Sequence, residues 1–331
     1  MKYFAFFTFL ILALYLCGFI KKTPKYQWMD RNYTTAIKGL SILTVVWAHS
    51  GARLSVGGIQ FVAGIGVALF LLCSGYGLEV SYEKNGLTGF WKKRLLGVCL
   101  PFWLVELIGL LVAGRFSAKT YLLDFCFLKP ATSYGWFMGY IVVCYVIFYA
   151  AKRLISNGKA QTVVLFGAFF VWFVLESVFF ANPAMPFLRA RQMLSFPCGV
   201  LLALCKDKIE QALTKAQSAL ISTIGVAIFL FFMAVTQLSV VKNLPYAASN
   251  AMALLTCLPM AVSIMVFGKA FGGFLKNRML ERIGTISYEI YLIHAFTLSV
   301  VEQSMISLFL FAAVTYGLAY ILHIGMRKVK K

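Results

Sequence analysis

Lys38 and His49 are the first pair of side chains whose types and spacing suggest chemistry. They lie eleven residues apart in an apolar segment, and eleven steps of 100° bring both to nearly the same face of a helix. The helical rise separates them by about 16 Å along the axis. A cation below and a titratable imidazole above would suit a tunnel that holds a long anionic donor and ends at a proton acceptor. The alternative is a lysine that extends to the headgroup region and a histidine capped there.

A second polar group lies near the end of the chain. Ser287, Tyr291 and His294 follow the spacing i, i+4, i+7, which predicts one polar stripe on a helix. Glu289 lies about 140° from His294 on the same helix and faces elsewhere. The alternative use of such a stripe is ordinary hydrogen bonding between packed helices. His323, near the end of the last apolar segment, is expected at the membrane interface.

Other candidates sit at the ends of apolar segments. Lys93 and Arg94 end a basic run before the fourth such segment, where they could hold phosphates or only set topology. Arg191 lies one turn before Ser195 at the start of the seventh segment, so it is expected to line the same mouth. Trp136 opens the fifth segment and could shape an acceptor entrance or anchor the helix in the aromatic belt.

The composition shows what kind of chain positions these residues. Of 331 residues, 61% are hydrophobic and 13% are charged, which excludes a soluble globular enzyme, a disordered chain and a fibrous protein. The net charge of +20 does not indicate nucleic acid, because the basic residues lie in short loops between apolar runs. The eight cysteines contain no C-x-x-C pair, so we expect free thiols and no metal site.

The apolar runs predict an all-α, polytopic transmembrane bundle of about eleven helices. No internal repeat, linker or low-complexity stretch interrupts them. The predicted helices cover residues 3–20, 36–50, 59–80, 95–113, 134–151, 161–181, 187–205, 218–241, 250–267, 286–302 and 304–325.

Basic residues alternate between the two sides of these helices. The loops that follow the odd-numbered helices, together with the C-terminal tail, carry 22 of the 31 lysines and arginines, and the opposite side carries eight. The positive-inside rule therefore predicts a multi-pass protein of the cell membrane with its N-terminus outside and its C-terminus in the cytoplasm. Positive charges follow the first segment and no small-x-small cleavage site is present, so we expect a retained helix.

Four segments, in order, resemble the acyltransferase 3 family of multi-pass membrane acyltransferases. Residues 38–49 resemble its opening basic-x10-His helix, and residues 66–76, with Ser74, resemble its G-V-x-x-F-F-x-x-S-G-Y stretch. Residues 90–101 are similar to its F-x-x-R-R/K-x-x-R-x-x-P segment, and residues 287–294 are close to its S-Y-x-x-Y-L-x-H signature. The pattern runs from about residue 33 to residue 325 and predicts a membrane domain over 33–331, with an additional N-terminal helix and loop over 1–32.

Two positions depart from the family pattern. Many members have arginine where this chain has Lys38, which keeps the charge but loses bidentate phosphate binding. Gly97 stands where a second basic residue often follows Arg94. We expect no appended hydrolase-like domain and therefore no two-stage relay within this chain.

The resemblance implies transfer of an acyl group, usually acetyl from acetyl-CoA, to a hydroxyl of a surface polysaccharide or lipid-linked glycan. No bound cofactor is implied, since acetyl-CoA is a substrate. His49 would be the general base or a transiently acylated group. Lys38 and His294 complete the predicted catalytic set.

The remaining predicted residues have binding roles. Lys93 and Arg94 are expected to hold the CoA phosphates. The predicted acceptor-binding side chains are Tyr291, Trp136, Arg191 and Ser74.

Two other classes of function remain possible on this sequence. A transporter or flippase of a lipid-linked saccharide would also need buried charges, although internal repeats and broken helices are typical of that class. A membrane scaffold without catalysis would leave His49 and His294 without a role.

Overall fold

The structure, a computed structural model, describes residues 1–20, 26–179 and 188–329. Within these ranges the chain forms helices and no strand, which confirms the all-α class. The predicted helix ends at 181 and 187 lie outside the described residues. In chain order the helices are α1 (Lys2–Cys17), α2 (Arg31–Arg53), α3 (Gln60–Asn85), α4 (Phe90–Arg94), α5 (Leu100–Val112), α6 (Ala118–Phe125), α7 (Trp136–Leu154), α8 (Gly158–Val178), α9 (Ser195–Ala212), α10 (Lys215–Val235), α11 (Ser239–Lys242), α12 (Tyr246–Phe271), α13 (Arg278–Thr285), α14 (Ser287–Thr297) and α15 (Met305–Val329).

Each of the eleven predicted segments forms a helix, but not each is a clear membrane span. Within the described ranges, seven helical stretches are long and apolar enough to cross a membrane, and α13 with α14 adds an eighth if this pair, bent by 75°, is one span. The other three predicted segments are α1, α2 and α9. Helix α1 has 16 residues, whereas α2 and α9 carry more polar residues and pack in the bundle against α3. The structure thus supports a polytopic bundle and does not confirm the count of eleven.

Several helical features differ from the predicted boundaries. Helix α6 lies between the predicted helices 95–113 and 134–151 and was not predicted, and the predicted helix 218–241 ends at Val235, before the separate α11. The fourth span begins at Phe90 rather than 95 and passes through a π-helical turn, Leu95–Cys99, before α5. Pro101 explains this turn, because it has no N–H to donate to the carbonyl four residues earlier. Helix α13 was not predicted, since its eight residues lie in a segment that the charges suggested was a loop.

Glycines let the helices around α2 and α3 approach closely. A Cβ atom on Gly39 of α2 would collide with the backbone of Leu280, and one on Gly284 of α13 would collide with the backbone of Thr35. Gly75 of α3 meets the backbone of α9 at Phe196 in the same way. Small residues at such crossings are typical of membrane helix packing. These contacts hold α13 in a fixed position on α2. Because α14 follows α13 directly, they also determine where α14 begins.

The two ends of the bundle differ in charge. The end at which α2 begins also holds Arg94 of α4 and Lys152 of α7, and we call it the basic end. Helix α2 begins there because the Asp30 side chain accepts a hydrogen bond from the Tyr33 amide at 2.6 Å, which caps the helix. His49 lies near the other end of α2, which we call the histidine end.

A buried ion pair joins α3 to α7 at the basic end. Lys152 Nζ lies 2.6 Å from Glu79 Oε1, with side-chain exposures of 5% and 2%. The ammonium also donates to Gln161 Oε1 at 3.0 Å and lies over the Tyr82 ring. The sequence suggested no role for Glu79, and the structure gives it a partner on another helix.

Replacing Lys152 with methionine should destabilise the bundle markedly. Loss of one partner leaves a buried charge uncompensated, which costs about 3–5 kcal/mol. A thermal melt of the detergent-purified protein should show a clear drop in Tm. The matched control is Lys206→Met, because Lys206 pairs with Glu210 at 3.7 Å with side-chain exposures of 29% and 43% and such pairs contribute less than about 1 kcal/mol. Equal melting of the two variants would contradict the prediction.

Candidate active site

Helix α2 brings His49 to the interior near the histidine end. The helix is continuous from Arg31 to Arg53, so Lys38 and His49 share one face as the spacing predicted. Both side chains are half-buried. The residues between them that face inward, such as Ile42 and Val45, belong to the apolar core. The histidine therefore lies at the end of an apolar helix face that begins with a cation.

Helix α14 brings His294 to the same place. It begins at Ser287, whose hydroxyl donates to the Gly284 carbonyl at 2.9 Å, and this hydrogen bond closes the bend after α13. Ser287 therefore supports the bend and does not extend the polar stripe into the site. His294 lies two turns further along and is fully buried. The close crossing of α13 with α2 then places α14 beside α2.

The two imidazoles contact each other directly. His49 Nδ1 lies 3.0 Å from His294 Nε2, and the rings are nearly parallel, with centroids 5.2 Å apart. The other nitrogen of His294, Nδ1, lies 2.5 Å from the Tyr291 carbonyl oxygen. A histidine pair from two helices far apart in sequence is thus held at hydrogen-bond distance and tied to the backbone of α14.

These contacts determine where the hydrogens lie when both rings are neutral. A carbonyl oxygen only accepts, so His294 Nδ1 carries the hydrogen and His294 Nε2 is an acceptor. His49 Nδ1 must then donate to it, which leaves the lone pair of His49 on Nε2. His49 Nε2 is therefore the nitrogen of the pair that is left to accept a proton from another molecule.

Tyr134 borders the pair and was not predicted from the sequence. Its ring centroid lies 4.4 Å from that of His49 and 5.2 Å from that of His294. Its carbonyl accepts a short hydrogen bond from the Tyr291 hydroxyl, and burial raises the pKa of its own hydroxyl. The sequence feature that could have identified Tyr134 is its position two residues before Trp136, at the start of a predicted helix. Tyr291 therefore positions the Tyr134 loop against the pair.

Glu289 and His323 form a separate contact on the other side of α14. His323 Nδ1 lies 2.9 Å from Glu289 Oε1, and the Glu289 side chain is 8% exposed. The sequence correctly predicted that Glu289 faces away from His294. The sequence did not predict this contact of His323 with the buried carboxylate, and its position at the membrane interface stays a prediction.

Three side chains of the predicted site gather toward the basic end. The Arg94 guanidinium lies over the rings of Phe90 and Tyr145, 5.2 and 5.4 Å from their centroids. The Ser74 side chain lies next to that of Tyr145, and Lys38 is close enough to Cys73, the neighbour of Ser74 in the sequence, to act electrostatically on its thiol. Ser74 of α3 and Arg94 of α4 thus meet at Tyr145, a residue that the sequence analysis did not select, and Lys38 of α2 lies near Cys73 beside them.

The comparisons with known proteins bear on this arrangement. The family model of the acyltransferase 3 proteins, described as an acyltransferase domain, matches residues 26–324. The chain belongs to the acyltransferase 3 family. Searches of curated proteins and of solved structures found no match. The matched range contains both histidines of the pair and excludes α1, which ends at Cys17. The chain is accordingly a membrane acyltransferase of this family.

Three further predicted residues of this acyltransferase have no described contact with the histidine pair. Trp136 packs on Phe137 and Tyr140 at the start of α7. Arg191, in a short turn before α9, contacts the Cys257 thiol on α12. Lys93 is exposed at the basic end. Their roles in binding remain predictions.

Proposed function

We propose that this acyltransferase moves an acetyl group from acetyl-CoA, bound at the basic end, to a hydroxyl of a surface polysaccharide or lipid-linked glycan at the histidine end. The observation that carries the proposal is the hydrogen-bonded pair of His49 and His294, which leaves Nε2 of His49 able to take a proton. Acyl transfer to a hydroxyl requires such a base. The alternative of a lipid-linked saccharide transporter gives this pair no specific task.

In the proposed reaction His49 Nε2 removes the hydroxyl proton as the oxygen attacks the thioester carbonyl. The new C–O bond forms, the C–S bond breaks, and the proton leaves with the CoA thiol. The imidazolium that forms on His49 is stabilised by its Nδ1–H bond to His294 Nε2. The carbonyl of Tyr291 keeps His294 in the tautomer that accepts this bond. His294 is thus a positioning residue. The protein itself is chemically unchanged at the end of the reaction.

The basic end supplies the features that an anionic donor requires. Arg94 is half-buried between two rings, and its Nε has no hydrogen-bond partner in the described part of the chain. Lys38 lies further along the same direction, about 16 Å from His49 by the helical rise. We propose that Arg94 and Lys93 bind the CoA phosphates and that Lys38 lines the path of the pantetheine arm.

Alanine at both Lys93 and Arg94 should raise the apparent KM for acetyl-CoA more than tenfold. Charge-assisted contacts to phosphate are worth about 1.5–3 kcal/mol each. The measurement is acetyl transfer in isolated membranes as a function of labelled acetyl-CoA. Arg94→Ala alone should account for most of the effect because Arg94 is the half-buried member, and Lys92→Ala, which removes an exposed neighbour, is the control. An unchanged KM in the double variant would indicate that this basic run only sets the membrane topology and does not bind acetyl-CoA.

The proposal also requires that the basic end face the cytoplasm, where acetyl-CoA is made available. A reporter fused after residue 331 should be active in the cytoplasm, and one inserted at Gly57 should be active outside. Gly57 is a suitable insertion point because its surroundings are open. A reporter that is active in the cytoplasm when inserted at Gly57 would place the histidine pair on the same side of the membrane as acetyl-CoA. This result would contradict the proposed transfer from the basic end to the histidine end.

The experiment that tests the function compares glycans from cells with and without the gene. NMR of the surface and lipid-linked glycans should show O-acetyl signals that vanish in the deletion and return with the wild-type gene. Complementation with His49→Ala should not restore them. Loss of the whole glycan, rather than of its acetyl groups, would favour the transporter, and unchanged glycans would overturn the proposed acceptor class.

A further inference from the structure

An apolar crevice lies between α1 and the rest of the bundle. Its volume is about 750 Å³, and α1, α2, α13, α14 and α15 supply its walls. Among the residues that line it, nearly all are hydrophobic, including Leu14 of α1, Val46 of α2 and Phe311 of α15. This space does not belong to the histidine site, and the sequence analysis did not predict it.

Helix α1 is attached to the bundle near its middle and at its C-terminal end, and the crevice lies between these two points. At the basic end the Tyr15 hydroxyl donates to the Phe274 carbonyl at 2.6 Å, and the Arg278 amide donates to the Gly18 carbonyl at 3.1 Å. Near the middle of α1, Trp47 donates to the Thr8 hydroxyl at 2.8 Å. Helix α1 therefore forms one attached wall of the crevice, which is not a gap beside a loose helix.

Two arginines lie at the basic end of the crevice. Arg278 and Arg282 lie one turn apart on α13, and both are exposed and line the crevice. Across the described ranges, neither guanidinium forms an ion pair or a side-chain hydrogen bond with the protein. Glu281, between them, instead accepts from the Tyr26 hydroxyl at 2.6 Å. Two cations thus lie at one end of a long apolar space, which is the arrangement that the charged headgroup and the acyl chains of a lipid require.

We infer that this crevice binds one anionic phospholipid of the leaflet at the basic end. Its acyl chains would fill the apolar space, and Arg278 and Arg282 would bind its phosphate by charge-assisted hydrogen bonds. Lipid recognition by a basic pocket beside membrane helices follows from these same forces. A glycan carrier is a poorer occupant, because its phosphate at these arginines would hold the sugar at the end of the bundle opposite to His49.

Binding of the full-length protein, purified in detergent, to phosphatidylglycerol tests the inference without reference to acetyl transfer. Native mass spectrometry should show one retained phosphatidylglycerol, and added phosphatidylglycerol should raise Tm by several degrees. Phosphatidylcholine and glycerol phosphate should do neither, since the first lacks net charge and the second lacks chains. Arg278→Gln with Arg282→Gln should abolish both signals.

Two further variants separate the two parts of the site. Arg31→Gln with Arg153→Gln removes two exposed arginines elsewhere at the basic end and should leave binding unchanged. Ala313→Trp fills the crevice from α15 and should abolish binding although both arginines are present. Equal retention of phosphatidylcholine, binding that survives the Arg278/Arg282 double variant, or binding of a polyprenyl phosphate in place of phosphatidylglycerol would each overturn the inference.

Discussion

His49→Ala should abolish acetylation of the glycan while the protein remains inserted and folded. The acceptor hydroxyl has too high a pKa to ionise alone, and loss of a positioned general base typically costs about 10²–10⁴-fold in rate. The structure sharpens this expectation, because Nε2 of His49 is the nitrogen of the pair that is left to accept a proton. Acetyl transfer in membranes, normalised to the amount of inserted protein, is the measurement.

The controls for this variant lie on the same helix. Ser50→Ala changes the neighbouring buried residue, whose hydroxyl has no partner in the described part of the chain, and should retain activity. His323→Ala is a poor control, because it would leave the buried Glu289 carboxylate without its partner. Lys38→Arg should retain activity and Lys38→Ala should lose much of it, since charge at that depth is what the donor path requires. Near wild-type rates with His49→Ala would make the histidine pair structural.

His294→Ala should lower the rate by about 10²-fold with little change in the KM for acetyl-CoA. Loss of an ionised orienting partner of a catalytic histidine costs about 10⁴-fold, and a neutral imidazole stabilises the imidazolium less. The loss arises because His49 Nδ1–H has no acceptor and the ring can adopt the wrong tautomer. A fall in kcat without a rise in KM distinguishes this positioning role from a role in donor binding.

Two conservative variants of His294 test the assignment of the hydrogens. His294→Gln can place an amide oxygen near the position of Nε2 and accept from His49, so part of the rate should return. His294→Asn reaches only the position of Nδ1 and can bond the Tyr291 carbonyl but not His49, so it should be as slow as alanine. Equal rates for glutamine and asparagine would contradict the proposed hydrogen-bond chain.

Much of the fold could be predicted because the sequence of each apolar membrane segment by itself determines that the segment forms a helix. Long apolar runs must satisfy their backbone hydrogen bonds internally, so each run forms a helix whatever its neighbours are. The sequence analysis missed the short helices α6 and α13 and the π-helical turn before α5, because none of them is a long apolar run. Helix α13 depends on packing against α2, and the π-helical turn depends on the absence of an N–H at Pro101.

The candidate site was predictable in its members but not in its geometry. Spacing on one helix placed Lys38 and His49 on a common face and separated Glu289 from His294, because the periodicity of a helix fixes directions around its axis. Spacing could not show that His49 and His294 touch, since the contact joins residues 245 positions apart. Nor could it reveal Tyr134, whose place beside the pair depends on a hydrogen bond from Tyr291 to its carbonyl.

The sequence by itself determined that the chain is a helical membrane protein, that its charges are distributed unequally between the two ends, and that its motifs are those of the acyltransferase 3 family. These properties follow from composition, local periodicity and the order of short motifs. Only the tertiary structure decided that His49 and His294 form one pair with a defined hydrogen-bond chain, that His323 contacts Glu289, and that α1 borders a crevice. Each of these depends on how close two helices approach, and that distance is set by glycine contacts and side-chain packing between segments far apart in the sequence.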